Sequence, residues 1–185
     1  LRAALEPKDV DAPVLRLSPD ERAHLRHVVE AQLLAEDALV ERLGSADVLL
    51  VGEQHFAREP VEYFLRLLDG ILSRDQRPVI LLLELPARVQ DALDRFVRSG
   101  SEEVFEEIWR GNDVLPYQEI VRWSHRNQVR VKRLRAIDED RGRVMLMRAL
   151  LTDTRNNTMA EALMTARREH PEAMIVVYGG QLHMT

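Results

Sequence analysis

Cysteine is absent from all 185 residues, which removes disulfides, thiolate nucleophiles and Cys-ligated zinc together. A chain without thiols suits reducing and oxidising surroundings equally, so localisation is left open. Aromatic residues are scarce at 5%, and no basic and aromatic platform for single-stranded nucleic acid is present. The formal net charge is −5, with Arg-rich and Glu-rich stretches interleaved, so no broad basic face is offered to a phosphate backbone and nucleic acid is not expected as a partner. Long apolar runs are missing too: a stretch such as Val79-Ile80-Leu81-Leu82-Leu83 is far too short to span a bilayer, and no membrane insertion is expected. There is no Gly-x-Ser-x-Gly elbow, no phosphate-cradling glycine loop and no dinucleotide fingerprint. The amino end lacks a basic-then-apolar leader pattern. The chain begins at Leu1 and stops two residues after His183, which reads as a processed or partial chain.

What remains is a 45% hydrophobic chain of a length that supports one core of ordinary size. Ser18-Pro19-Asp20-Glu21 carries an N-cap Ser, Pro at the first helical position and Glu three residues after the cap, so a helix starts here. Helical spacing runs on to Leu43 with Gly44 as a stop, and a break near Ala35 is left open. Asp47 to Val51 is short and evenly apolar, the pattern of a buried strand ending at Gly52. Val61, Phe64, Leu65, Leu68 and Leu72 make the stripe of a helix laid on a sheet.

Pro78 to Glu84 is the next strand, and Ala87 to Trp109 reads as two short helices broken at Ser99-Gly100-Ser101, forming a helical cap. A helix over Pro116 to Asn127 precedes a more exposed strand over Val129 to Ile137. A helical pattern over Arg143 to Arg168, with an interruption at Thr152-Asp153-Thr154 left open, leads to a last strand over Ala173 to Tyr178. The alternation predicts an α/β fold: a mostly parallel sheet flanked by helices on both faces, with an inserted helical cap. Residues 1–46 form an N-terminal helical segment and 47–185 a single α/β domain whose sheet is expected to continue past Thr185.

Two strands end alike. LVGEQH closes on His55 and YGGQLH closes on His183, each a Gly-x-x-His following an apolar strand, and LLLELP places Glu84 at the end of a strand between them. Residues beyond the carboxyl ends of parallel strands line the ligand crevice of open α/β sheets, so these side chains converge if their strands are neighbours. Two imidazoles and a carboxylate suit a catalytic divalent ion that keeps a position open for water. Gly52 and Gly180 permit a sharp turn or a close backbone approach. Glu53 is available as a general base or as a partner that orients an imidazole.

A lone His after a strand is more often a loop residue held by hydrogen bonds, and Glu84 could instead pair with an Arg. Of the other histidines, His24 and His27 read as solvated helix residues, His125 as a surface residue beside a half-buried Trp123, and His170 as a loop residue. Asp138, Asp140 and Tyr117 rank between: each could reach the crevice, while a solvated turn or core packing accounts for them equally well. Arg155 could bind a substrate carboxylate or oxyanion, against a surface ion pair as the ordinary account.

From about Asp47 onward the chain resembles a superfamily that includes the Tiki metalloproteases, the ChaN-like haem-binding lipoproteins and, further away, the erythromycin esterases. The resemblance rests on VLLVGEQH, LLLELP, RNNTMA and VVYGGQLH. It implies Glu53, His55, Glu84 and His183 in one site with Arg155 nearby, and a divalent-metal-dependent hydrolase of peptide or ester bonds. The expected cofactor is manganese, cobalt or zinc held by His55, His183 and Glu84, and the expected partner a peptide or small-molecule substrate, with self-association left open. ChaN-like members imply the alternative, a haem or iron-compound binding protein in which Tyr117, Tyr178 or a His is an axial ligand. The one-residue-longer Gly-to-His spacing of erythromycin esterases differs from GEQH.

Overall fold

The computed structural model describes residues 18–32, 35–53, 59–110, 115–138 and 148–180, with the side chains at 25, 29, 31, 32, 59, 60, 115, 116 and 148–155 outside the described set. It divides into two compact units, Leu1–Ala35 and Glu36–Thr185. In the first, helix α1 (Pro19–Gln32) opens on the capping box read from the sequence: the Ser18 N–H and hydroxyl both donate to Glu21 Oε2, at 2.7 and 2.8 Å, and the Glu21 N–H donates to Ser18 Oγ at 3.2 Å. α1 ends at Gln32 and α2 (Glu36–Gly44) begins the second unit.

That second unit continues with β1 (Val48–Glu53), α3 (Glu59–Arg74), β2 (Val79–Pro86), a 3-10 turn (Ala87–Val89), α4 (Gln90–Ser99), α5 (Glu102–Trp109), α6 (Leu115–Arg126), β3 (Val131–Asp138), α7 (Arg148–Glu169) and β4 (Met174–Gly180). All strand pairs are parallel, in the order β1-β4-β2-β3. The last strand is thus inserted between the first two. Because successive side chains of a strand alternate faces, β2, β3 and β4 each feed two cores. Val79, Leu81, Leu83, Met174, Val176 and Tyr178 face a layer built from α3 to α6, while Ile80, Leu82, Ile175 and Val177 face Met159, Ala162 and Ala166 of α7. Helices therefore cover both faces, as the alternation of elements predicts.

Local chemistry sets the element ends. The α3 stripe buries Val61, Phe64, Leu68 and Leu72 against the sheet. α4 stops because Gly100 takes a left-handed φ of 66° and donates its N–H to Phe96 O at 2.7 Å. His125 is not the surface residue expected: Nδ1 lies 2.8 Å from Val97 O, so that nitrogen carries the proton and donates, and the ring packs 5.5 Å from Phe96. Trp123 is buried and its indole N–H donates to Asp69 Oδ1 at 2.8 Å. α7 runs through Thr152-Asp153-Thr154 without a break.

The turn between α3 and β2 is held by two guanidinium groups. Arg130 donates to the carbonyls of Leu72, Asp75 and Arg77, and Arg77 reaches Asp75 Oδ2 at 2.6 Å and Gly44 O at 2.5 Å. On the far side of the sheet, the Gln90 side chain lies along β3, donating to Leu134 O at 2.9 Å and accepting from the Ala136 N–H at 2.8 Å.

Candidate functional site

β1, β4 and β2 are consecutive in the sheet, so the strands that carry the two Gly-x-x-His motifs and Glu84 end side by side. The register is close: Gly52 opposes Gly179, Glu53 opposes Gly180, and Leu83 opposes Tyr178. Gly52 and Gly180 are ladder residues here rather than turn residues, and among the described residues Gly100 alone has a positive φ. What glycine supplies at Gly52 and Gly179 is the absence of two side chains at facing positions. The Gly180 N–H donates to Glu84 Oε2 at 2.6 Å, tying the end of β2 to the end of β4 with a charge-assisted bond.

Glu53 is a strand residue, 4% exposed, on the face that also carries Leu49 and Val51. Asp138 closes β3 and is equally buried, so a third strand contributes a carboxylate to the same end of the sheet. Over them lie two phenols. Tyr178 of β4 and Tyr117 of α6 are each 1% exposed and meet edge to face at 5.5 Å, with Phe64 on the other side of Tyr178 at 4.9 Å. Burial pushes the Tyr117 hydroxyl far above the ordinary phenol range, and the charges of Glu84, Glu53 and Asp138 together with Tyr178 push in the same direction. Burial, then Glu53, does the same to Tyr178. Both are therefore neutral O–H donors at any working pH, and among the described residues neither hydroxyl meets a hydrogen-bond partner.

The structure thus brings together Glu53 and Glu84 of the expected set, and adds Asp138, Tyr117 and Tyr178. His55, His183 and Asp140 lie outside the described residues; the backbone of Arg155 is within α7, and its side chain is outside the described set. No group of three or more metal-ligating side chains occurs among the described residues. Of the expected ligand set the described residues place one carboxylate, Glu84 near the end of β2, while the imidazoles of His55 and His183 follow in sequence two residues after β1 and three after β4. That donor set fits a hard or borderline divalent ion. No helix of the described residues is long and apolar enough to cross a membrane.

Asp138 is a candidate in the sequence because it follows a strand, as Glu84 does, and the structure places it buried at the end of β3. Tyr117 is a candidate with core packing as its default, because a Tyr on an amphipathic helix has the pattern of a core residue.

Residues 39–147 match the family described as haem-binding uptake, Tiki superfamily, ChaN, so the match includes Glu53, His55 and Glu84 and stops before the second Gly-x-x-His. No curated protein matches the chain in sequence. Among solved structures it is similar to RRSP, a MARTX toxin effector domain from Vibrio vulnificus CMCP6, with a TM-score of 0.59 and 18% identity over 81% of this chain and 31% of that one. The C-terminal region of Pasteurella multocida toxin, in which a thiol-protease-like catalytic triad is described, also gives a TM-score of 0.59, at 16% identity over 80% of this chain and 21% of that one. The type III effector HopBA1 gives 0.51, at 14% identity over 78% and 71%. At these identities the likenesses show the α/β fold, and the chain spans less than two fifths of the first two structures' length.

Proposed function

As the chain belongs to the haem-binding uptake, Tiki superfamily, ChaN family, matched over more than half its length, we propose that the strand ends of β1, β4 and β2 form the active site of a divalent-metal-dependent hydrolase of peptide or ester bonds. The observation that supports this reading is the strand order: β4 lies between β1 and β2, so Glu53, Gly180 and Glu84 end three adjacent strands, and the Gly180 N–H donates to Glu84. His55, His183 and Glu84 would hold manganese, cobalt or zinc. Such an ion, when bound, lowers the pKa of a coordinated water towards neutrality.

The chain's own residues do the rest. Glu53, buried beside the crevice, accepts the proton of the attacking water and passes it to the leaving amine or alcohol. The water oxygen bonds to the carbonyl carbon and the C–N or C–O bond breaks. Arg155, in α7, is assigned to a substrate carboxylate or oxyanion. The thiol chemistry described for the Pasteurella toxin region has no counterpart in these 185 residues, which contain no cysteine.

The family description favours haem binding as the second reading. Against a phenolate ligand stands the burial of Tyr117 and Tyr178 among carboxylates, which keeps both phenols protonated, so this reading leans on a histidine ligand. Two measurements separate the readings. Elemental analysis and titration of the metal-free protein with manganese, cobalt and zinc should show stoichiometric binding in wild type and its loss in His55→Ala and His183→Ala. Metal retained in both variants would falsify the ligand assignment, and a Soret band that saturates on titration with haemin would favour the second reading.

A further inference from the structure

Three buried side-chain donors meet no hydrogen-bond acceptor among the described residues: Trp109 Nε1 and the hydroxyls of Tyr117 and Tyr178. A buried donor without a partner forfeits its hydration, and native folds rarely keep one without a use. Trp109, at the end of α5, packs against Phe105 within the helical layer. The two phenols are different. They touch one another, and the charges of Glu53, Glu84 and Asp138 from three strand ends all act on the Tyr117 oxygen. Their positions are fixed by rigid elements: Tyr178 by the β4 ladder, with Leu83 on one side and Val51 on the other, and Tyr117 by α6, whose Ile120, Val121 and Trp123 are buried in the same core.

We propose that the Tyr117 and Tyr178 hydroxyls are the donors that receive the substrate's carbonyl oxygen. Each phenol keeps its proton and offers an O–H that no described side chain accepts, so an acceptor such as a carbonyl oxygen is a group it can take. An O–H donor lacking a protein acceptor is already oriented for one, and strengthens as negative charge develops on the carbonyl oxygen. The inference rests on the hydrolase reading and deepens it. Tyr117 and Tyr178 are catalytic residues in this account.

The test compares wild type, Tyr117→Phe, Tyr178→Phe and the control Tyr63→Phe, each loaded with the metal that wild type binds. The probes are p-nitrophenyl acetate, a set of quenched fluorogenic peptides and p-nitrophenyl phosphate, with thermal unfolding of the metal-free proteins recorded in parallel. The expected result is turnover of an acyl probe by wild type and by Tyr63→Phe, with kcat reduced about 100-fold in Tyr117→Phe, KM near the wild-type value, and a melting temperature unchanged or raised because an idle buried hydroxyl has been removed. Tyr178→Phe shows the same split. Wild-type rates in both variants, or a melting temperature lowered along with activity, overturn the assignment and leave the hydrolase reading standing. A wild type that turns over p-nitrophenyl phosphate alone overturns the carbonyl assignment, and one that turns over none of the probes overturns the hydrolase reading and this inference with it.

Discussion

Gly100→Ala is expected to be among the most damaging single-methyl additions to the helical layer, and its cost can be divided. At φ 66° any L-residue other than Gly pays about 1–2 kcal/mol for the left-handed conformation, less about 0.4–1 kcal/mol returned through a stiffer unfolded chain. The new methyl would lie 2.5 Å from His125 Nε2 and 2.9 Å from Cε1, inside any permitted contact. The ring cannot yield freely, since its Nδ1–H is bonded to Val97 O and its face packs on Phe96. Displacing it forfeits about 1 kcal/mol for the hydrogen bond and about 0.5–1.5 kcal/mol for the aromatic pair.

The sum is about 1.5–4 kcal/mol, a fall in melting temperature of about 3–16 °C for a chain of this size. Denaturant unfolding of wild type, Gly100→Ala, His125→Ala and the double variant closes the cycle. With the imidazole gone, the glycine substitution should cost only its conformational part, leaving a coupling of about 1.5–2.5 kcal/mol between the two sites. Equal costs in both backgrounds would show that the ring is not the obstacle, and a neutral Gly100→Ala would refute the left-handed stop of α4 itself. Since α6 carries both His125 and Tyr117, the same variant should also lower turnover at the proposed site.

Asp75→Asn tests the turn after α3 through pH. Burial works to raise the Asp75 pKa, but the Arg77 N–H and guanidinium and the charge of Arg130 outweigh it, so the folded value lies below the ordinary one. The contribution is therefore present above the unfolded pKa of about 4 and is lost as pH falls through the lower folded value. The variant should be less stable than wild type by about 1–2 kcal/mol at neutral pH, measured by urea unfolding, with the two curves converging as pH is lowered below 4. A gap that persists into acid would refute the ionic account. Arg130→Lys keeps the charge but cannot reach three carbonyls at once, and a loss of about 2 kcal/mol is expected; an unchanged urea midpoint would mean that charge alone holds the turn.

Most of the elements were legible in the sequence because each carries its own punctuation. Ser18 to Glu21 wrote the start of α1, the Val61 to Leu72 stripe wrote α3, and Ser99-Gly100-Ser101 marked the gap between α4 and α5. Helices on both faces followed from the alternation of elements. Strand order did not: nothing local in Met174 to Gly180 says that β4 inserts between β1 and β2, since that choice is made by crossovers and by which faces remain to be buried. Of the site, Glu53 and Glu84 could be read from their places at strand ends. Tyr117 could be raised only as a crevice candidate with core packing as its ordinary account, because Tyr117, Ile120, Val121 and Ser124 share the spacing of an ordinary buried helix face, and the packing of α6 over β4 is what sets its ring against Tyr178. His125 misled for a related reason: its partner, a helix-end carbonyl, is a backbone group and leaves no letter in the sequence.

The Gln90 side chain has a consequence for how the sheet can grow. By answering the outward carbonyl of Leu134 and the outward N–H of Ala136, it fills the position that a neighbouring strand would take, and Lys132 and Arg133 add exposed charge to the same strand. Among the described residues β1, at the opposite end, pairs on one side only, with β4, and leaves Val48 and Leu50 at 36% and 51% exposure. Among these strands one border is thus sealed by an amide, and a further strand would add at the border that begins with β1.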